Sequence, residues 1–357
     1  MTDAANAFLT AHVVDPDDER RHTPDADDLW NESYYADFVN DDGTFGGWLR
    51  LGLYPNRQVA WWTTWIVGPG RTGICSVNYT VPVPAGTGLV AQDADTRIEL
   101  ELIEPLQQFR IAASAPAVAY SSPEDAYSDA PGSAARLDLD LTWETDGSPY
   151  HYDLTTRYEI PCNVTGRVSV AGPDGVEELT VRGQGQRDHS WGVRDWWAFG
   201  WCWSSARLDD GTRVHLADIR MPGFPIAFGY VQTPGEGGAQ GGDVHQVTRL
   251  EVTEDSGPHG FPTTAHIDLA ATPLGGTAAG EAGEGAVGEG AVGEGAVGEA
   301  IKDLSITVTP LAYGPVLLVN DIDGRISHFP RAMVRYEAED GREGLGWIEW
   351  NQPDSGA

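Results

Sequence analysis

Apolar and polar residues alternate in short stretches along almost the whole chain, with a period of two. From Arg136 to Trp143, Leu137, Leu139, Leu141 and Trp143 share one face while Asp138 and Asp140 share the other. That is the pattern of an antiparallel strand with one wet face. Runs of the same kind, or rich in aromatic and β-branched residues, predict strands over 48–54, 58–67, 96–103, 136–143, 166–170, 197–203 and 212–220. Others follow over 226–232, 246–253, 264–271, 304–309, 332–337 and 344–350. Asp210-Gly211 and Asp340-Gly341 each sit between two such runs and signal hairpins. No 3.6-residue period persists over a helical length. Many short strands separated by turn signals predict an all-β chain, built as a sandwich or barrel.

The ends and one internal stretch break this pattern. Residues 1–28 are polar and acidic and read as a loose arm or short helix. From Glu284 the unit EGAVG occurs three times inside 275–300, between two predicted strands, and reads as a low-complexity loop insertion. The N-terminal stretch lacks a basic region and an apolar core, so it is not a signal peptide, and no run is long enough to span a membrane. The default expectation is a cytoplasmic protein.

Composition narrows the partners. A formal net charge of −32 excludes nucleic acid and anionic membrane surfaces, because both need clustered cations. Of the 22 basic residues only Lys302 is a lysine, a bias that fits either a salt-adapted surface or an arginine-favouring genome. Three cysteines, Cys75, Cys162 and Cys202, form no CxxC pair, and the histidines form no HExxH or HxH pair. Neither a disulfide framework nor a metal site is expected, and no cofactor motif is present. Asp25-Ala26-Asp27-Asp28 fits a DxDD acid motif but lacks the helical setting that chemistry needs.

The most informative segment is RDHSWGVRDW, from Arg187 to Trp196. Trp191 and Trp196 favour burial, so the charges between them need partners. Arg187 with Asp195, or Asp188 with Arg194, would supply structural ion pairs. In the following WAFGWCW, Trp197, Phe199, Trp201 and Trp203 alternate with small residues and form a wall fit to line an apolar cavity or a core. In TRVHLADIR, Val214, Leu216 and Asp218 share a face. Turned inward, Asp218 would be a carboxyl among apolar neighbours, held protonated near neutrality and able to act as a general acid; the alternative is a pair with an arginine. His215 falls on the opposite face.

RDHSWGVRDW, preceded by GQGQ and followed by the tryptophan-rich strand, resembles the carotenoid 1,2-hydratase (hydroxyneurosporene synthase) and AttH-like group. The resemblance runs from about Trp30 to Trp350, its specific part being the central motif. It implies two consecutive lipocalin-like antiparallel β-barrels: an N-terminal domain over 29–182 and a C-terminal one over 183–352 opened by the motif. In that group an H-x-W pair and a Y-x-D pair serve catalysis. His189 and Trp191 match the first, and Asp218 matches the acid of the second, but Leu216 stands where the tyrosine should be. The implied chemistry is hydration of an alkene, without a cofactor. Asp218 would give the proton, Trp191 would stabilise the cation, and His189 would orient the water. Trp196, Trp201, Trp203 and Leu216 would hold a terpenoid, carotenoid or lipid-like substrate. Two alternatives share the scaffold: a carrier of a hydrophobic ligand without chemistry, and a cyclase or isomerase.

Overall fold

The computed structural model describes residues 14–128, 130–152, 155–172, 175–224, 226–235, 241–274 and 301–354. The EGAVG repeat and the first thirteen residues of the arm lie outside them. The described chain is nearly all β, in two antiparallel sheets that follow one another in sequence. The first holds β1 (Trp30–Asn40), β2 (Gly46–Tyr54), β3 (Val59–Val67), β4 (Gly73–Pro82), β5 (Val90–Gln92), β6 (Arg97–Glu104), β7 (Gln108–Tyr120), β8 (Ser133–Thr145), β9 (Tyr150–His151), β10 (Arg157–Gly172) and β11 (Gly175–Val193). The second holds β12 (Gly200–Leu208), β13 (Arg213–Arg220), β14 (Ile226–Gln232), β15 (Val244–Ser256), β16 (Pro262–Pro273), β17 (Ile301–Tyr313), β18 (Val316–Val319), β19 (Ile326–Phe329), β20 (Arg331–Ala338) and β21 (Glu343–Pro353).

Each sheet curls round on itself. In the second, β12 pairs with β21 from Trp201 to Leu208 and closes an eight-strand barrel. In the first, β4 meets β7 over Gly73–Cys75, closing β4-β3-β2-β1-β11-β10-β8-β7. Closure removes the open edges that would otherwise invite pairing with other chains. This is the lipocalin-like two-barrel architecture that the resemblance implied. No helix among the described residues is long and apolar enough to cross a membrane.

Alternation decides which side chains fill each barrel. Leu137, Leu139, Leu141 and Trp143 point into the first, together with Trp62 and Ile111. Val214 and Leu216 point into the second, with Cys202 and Trp350. A third cluster, including Tyr35, Trp48, Trp203, Tyr230 and Trp347, packs between the barrels. Indole N–H groups stitch this junction: Trp48 donates to the Gly314 carbonyl at 3.0 Å and Trp347 to the Phe38 carbonyl at 3.0 Å. Each bond pairs a buried donor that would otherwise cost about 1–3 kcal/mol.

The strand expected to open the second domain belongs to the first. β11 pairs from Gly175 to Ser190 with β10 and, from Gly183 to Val193, with β1. The change of sheet therefore falls after Val193, not at 182/183. The expected strand over 197–203 begins at Gly200, because Trp197 to Phe199 form a turn.

Candidate functional site

β11 carries the central motif as a regular strand, so its residues divide between two faces. Arg187, His189 and Trp191 point into the first barrel, while Gln186, Asp188 and Ser190 point toward the second. Neither ion pair expected within the motif is formed, and each charge takes a partner from elsewhere in the chain. Arg187 instead pairs with Glu19 at 2.6 Å, Asp188 with Arg157 at 2.8 Å and Asp195 with Arg325 at 3.1 Å. Arg194 donates to the Thr155 hydroxyl at 3.0 Å.

Inside the first barrel, His189 lies in a chain of polar groups that the N-terminal arm completes. The short 3-10 turn Pro16–Glu19 and the following residues plug the barrel mouth. Glu32 Oε1 accepts from His189 Nε2 at 2.7 Å and from His22 Nδ1 at 2.8 Å, and its Oε2 accepts from the His22 backbone N–H at 2.7 Å. Tyr158 Oη donates to Glu19 at 2.8 Å and lies 3.2 Å from His189 Nδ1. Trp191 stacks on His22 with ring centroids 3.7 Å apart, and Tyr34 stacks on His189 at 4.2 Å. Burial works to raise the Glu32 carboxyl, but the bonds from His189 and His22 overcome it and hold the group at about 2. Burial opposes the charge on His22, yet Glu32 and Asp18 raise its pKa. The arm is thus latched into the barrel by an ion-paired cluster.

His22, Glu32 and His189 offer donor atoms within 4.8 Å of one another, a set whose composition suits a divalent transition ion. The sequence could not reveal this set, since its members sit on the arm, β1 and β11 and no short spacing joins them. The space around His189 is filled by the protein's own side chains, including Tyr34, Phe109 and Tyr158, which are all buried. Glu19, absent from any motif, was likewise invisible until the arm was placed.

Asp218 does not join this cluster. It lies on β13 of the second barrel, part-exposed, and accepts from Arg220 Nε at 2.9 Å while Arg220 also grips Glu254. Asp218 belongs to the second sheet and His189 and Trp191 to the first, so the structure does not bring the three together as the expected acid–base centre. Leu216 is fully buried in the core of the second barrel. It lines no space that Trp201 or Trp203 share, because those indoles alternate to the outer side of β12.

The second face of β11 packs against the second barrel at the junction, where Trp203 and Trp201 also point. Trp203 Nε1 donates to Glu159 Oε1 at 3.1 Å and Trp201 Nε1 to Glu349 Oε1 at 2.8 Å. Trp196 packs beside Trp201 and donates to the Tyr54 hydroxyl at 3.0 Å. Arg157 is shared between Asp188 and Glu159, so one guanidinium faces two carboxyls. Burial pushes Asp188 up to about 7; Arg157 opposes this and Glu159 adds to it. Asp37, between the barrels and accepting from the Tyr35 hydroxyl and the Gln186 N–H, is also raised by burial to about 7. His215, on the face of β13 opposite Asp218, lies in this junction and bonds to the Tyr152 hydroxyl. Burial and then Arg157 push its pKa well down.

Elsewhere along the junction an open groove of about 950 Å3 is lined by Asn40, Asp146, Gln184, Arg207 and Arg213 among others. Of its arginines, Arg207 is paired with Asp41 and Arg213 with Asp146, while Arg335 also lines it. The concentration of indoles, shifted carboxyls and buried cations lies instead around Asp188.

Fold and site together define a two-barrel lipocalin-like protein with a polar, indole-walled junction. The chain belongs to a family described as a domain of unknown function, DUF7064, whose model matches residues 15–283. No curated protein matches it. Among solved structures it is similar to a Nitrosomonas europaea protein described as an AttH, at 15% identity, covering 96% of this chain and 97% of that one with a TM-score of 0.53. It is similar to kievitone hydratase from Nectria haematococca at 10% identity, covering 96% and 95%, with a TM-score of 0.55. It is also similar to CghA at 11% identity, covering 97% and 94%, with a TM-score of 0.50. At such identities the likeness establishes the fold.

Proposed function

We propose that the junction between the barrels around Asp188 is the active site of an enzyme that acts by proton transfer on a hydrophobic small molecule, by hydration of an alkene or the reverse dehydration. The observation that carries this reading is Asp188, whose carboxyl burial raises although it accepts from Arg157 at 2.8 Å, and which shares that guanidinium with Glu159 beneath Trp203. A carboxyl that still holds its proton near neutrality is the acid an isolated double bond requires.

The step balances with water alone. Asp188 gives its proton to one alkene carbon, and the neighbouring carbon becomes cationic. The indole face of Trp201 attracts that charge without forming a bond. Water adds to the cation and returns a proton to the Asp188 carboxylate. Run backward, the same groups expel water. A second double bond closing on the cation would make the same centre a cyclase or isomerase. That one similar structure bears the name of a hydratase supports the reading.

The test is incubation of the protein with branched alkenes in oxygen-18 water, followed by mass spectrometry. Asp188→Asn should lower label incorporation by at least about a hundredfold while the protein stays folded and still binds the alkene. Equal turnover by Asp188→Asn would remove the carboxyl from the chemistry. Binding without any mass change would favour a carrier.

A further inference from the structure

Buried cations in this chain have abundant acidic partners: 54 Asp and Glu stand against 22 Lys and Arg. Arg157, Arg187, Arg213 and Arg331 each hold a carboxylate. Two half-buried arginines at the junction do not. Arg50 donates through Nε to the Ser33 hydroxyl at 2.9 Å and through Nη2 to the Asn31 side-chain oxygen at 3.2 Å, both neutral acceptors. Arg194 donates to the Thr155 hydroxyl, also neutral. Neither lies within ion-pair distance of a carboxylate among the described residues.

Strand register brings the two together. On the outer face of the first barrel, Gly52, Ser33, Ser190 and Arg157 follow one another across β2, β1, β11 and β10. Arg50 lies one step along β2 from this row, and Arg194 follows directly on β11. The row is floored by small side chains, and the Arg50 guanidinium lies flat over Gly52, where an added Cβ would come within 2.5 Å of Nη1. Trp196 forms the roof, its ring 4.7 Å from the Arg50 guanidinium carbon, with Trp201 beside it. Burial and then Arg157 lower Arg194 to about 10; Asp188 works against this and Arg50 adds to it. Two like charges, neither hydrogen-bonded to a carboxylate and one of them under an indole, favour an added anion.

We propose that Arg50 and Arg194 bind the carboxylate of an otherwise apolar small molecule, whose hydrocarbon part lies along Trp196 and Trp201. This rests on the junction as the ligand site and specifies its substrate class: a hydrophobic carboxylic acid. A planar carboxylate fits because a guanidinium offers paired N–H donors in its own plane. The chain's overall negative charge would repel such an acid, so recognition has to come from these local cations.

The experiment is calorimetric titration of the whole protein with matched acid and alcohol pairs: decanoate against decanol, and cinnamate against cinnamyl alcohol. The acid should bind at least about tenfold more tightly than its alcohol, the margin of one charge-assisted hydrogen bond. Arg50→Met with Arg194→Met should bring the two affinities together while leaving the alcohol unaffected. Gly52→Ala keeps both charges but displaces the Arg50 guanidinium, and should cut the acid preference alone. Equal affinity of acid and alcohol in the unaltered protein would overturn the carboxylate site and leave the junction reading standing. So would an acid preference that survives both arginine changes. Binding of neither ligand would overturn both.

Discussion

Asp37 offers a quantitative test of the charge balance between the barrels. Its carboxyl is buried on β1, facing Tyr35, the Gln186 N–H and Ser205, with Arg331 and Glu159 the nearest charged groups. Burial raises it from 3.8 to about 7, against the pull of its hydrogen-bond donors and Arg331. A group whose folded pKa lies above its unfolded value stabilises the fold at low pH, and that contribution is lost as pH rises through the folded value. Between pH 5 and pH 8 the native carboxyl keeps, over about two pH units, a proton that the unfolded chain has already released. At 1.36 kcal/mol per unit this removes about 2.7 kcal/mol of stability. Asp37→Asn abolishes that part of the loss. The amide still accepts from the Gln186 N–H but meets the Tyr35 hydroxyl less well, at a cost of about 1 kcal/mol. The variant should therefore be slightly less stable than the parent at pH 5 and more stable at pH 8. Urea midpoints at the two pH values measure both differences. Parallel curves, with no change of order, would refute a carboxyl raised to near neutrality.

Three further outcomes follow from the same geometry. Glu32→Gln should cost about 3 kcal/mol at neutral pH, the worth of holding that carboxyl near 2 instead of 4.5. The parent loses this increment as pH falls from about 4.5 toward 2; a midpoint shift under about 0.5 kcal/mol would show that the latch on the arm carries no stability. Leu216→Tyr, which supplies the tyrosine of the resembled motif, should lower the melting temperature through overpacking of about 1–3 kcal/mol and bring no new turnover; a gain of hydration would restore the motif to the mechanism. Asp218→Asn breaks only a part-exposed pair with Arg220, so both stability and label incorporation should stay near the parent's, and a collapse of activity would place Asp218 back in the chemistry.

The architecture was legible in the sequence because one-sided burial writes itself as alternation. Leu137 to Trp143 shows the core face directly, and all thirteen expected strands coincide with observed ones. Strands lost to sequence reading lack that contrast. β1 reads WNESYYADFVN, and every residue is buried, polar ones included. Its inner face meets the His189 cluster and its outer face meets the second barrel, so no wet side remains to set a period. β11 was hidden for the same reason. It carries arginine and aspartate on consecutive positions, which a strand tolerates only where both faces find partners.

That double burial also explains why the residues of the motif divide between two places. Taking Arg187 to Trp196 as one cluster groups residues by proximity in sequence. On a strand, neighbours in sequence point apart, and parity decides membership. Odd positions give Arg187, His189 and Trp191 to the barrel interior, where the arm supplies Glu19 and His22. Even positions give Gln186 and Asp188 to the junction, where β10 supplies Glu159 and Arg157. The same parity on β12 and β13 turns Trp201 and Trp203 toward Asp188 and sends Leu216 and Asp218 the other way. A motif matched residue by residue keeps its spacing yet need not keep its chemistry, since spacing fixes the face and the opposite sheet determines what that face meets.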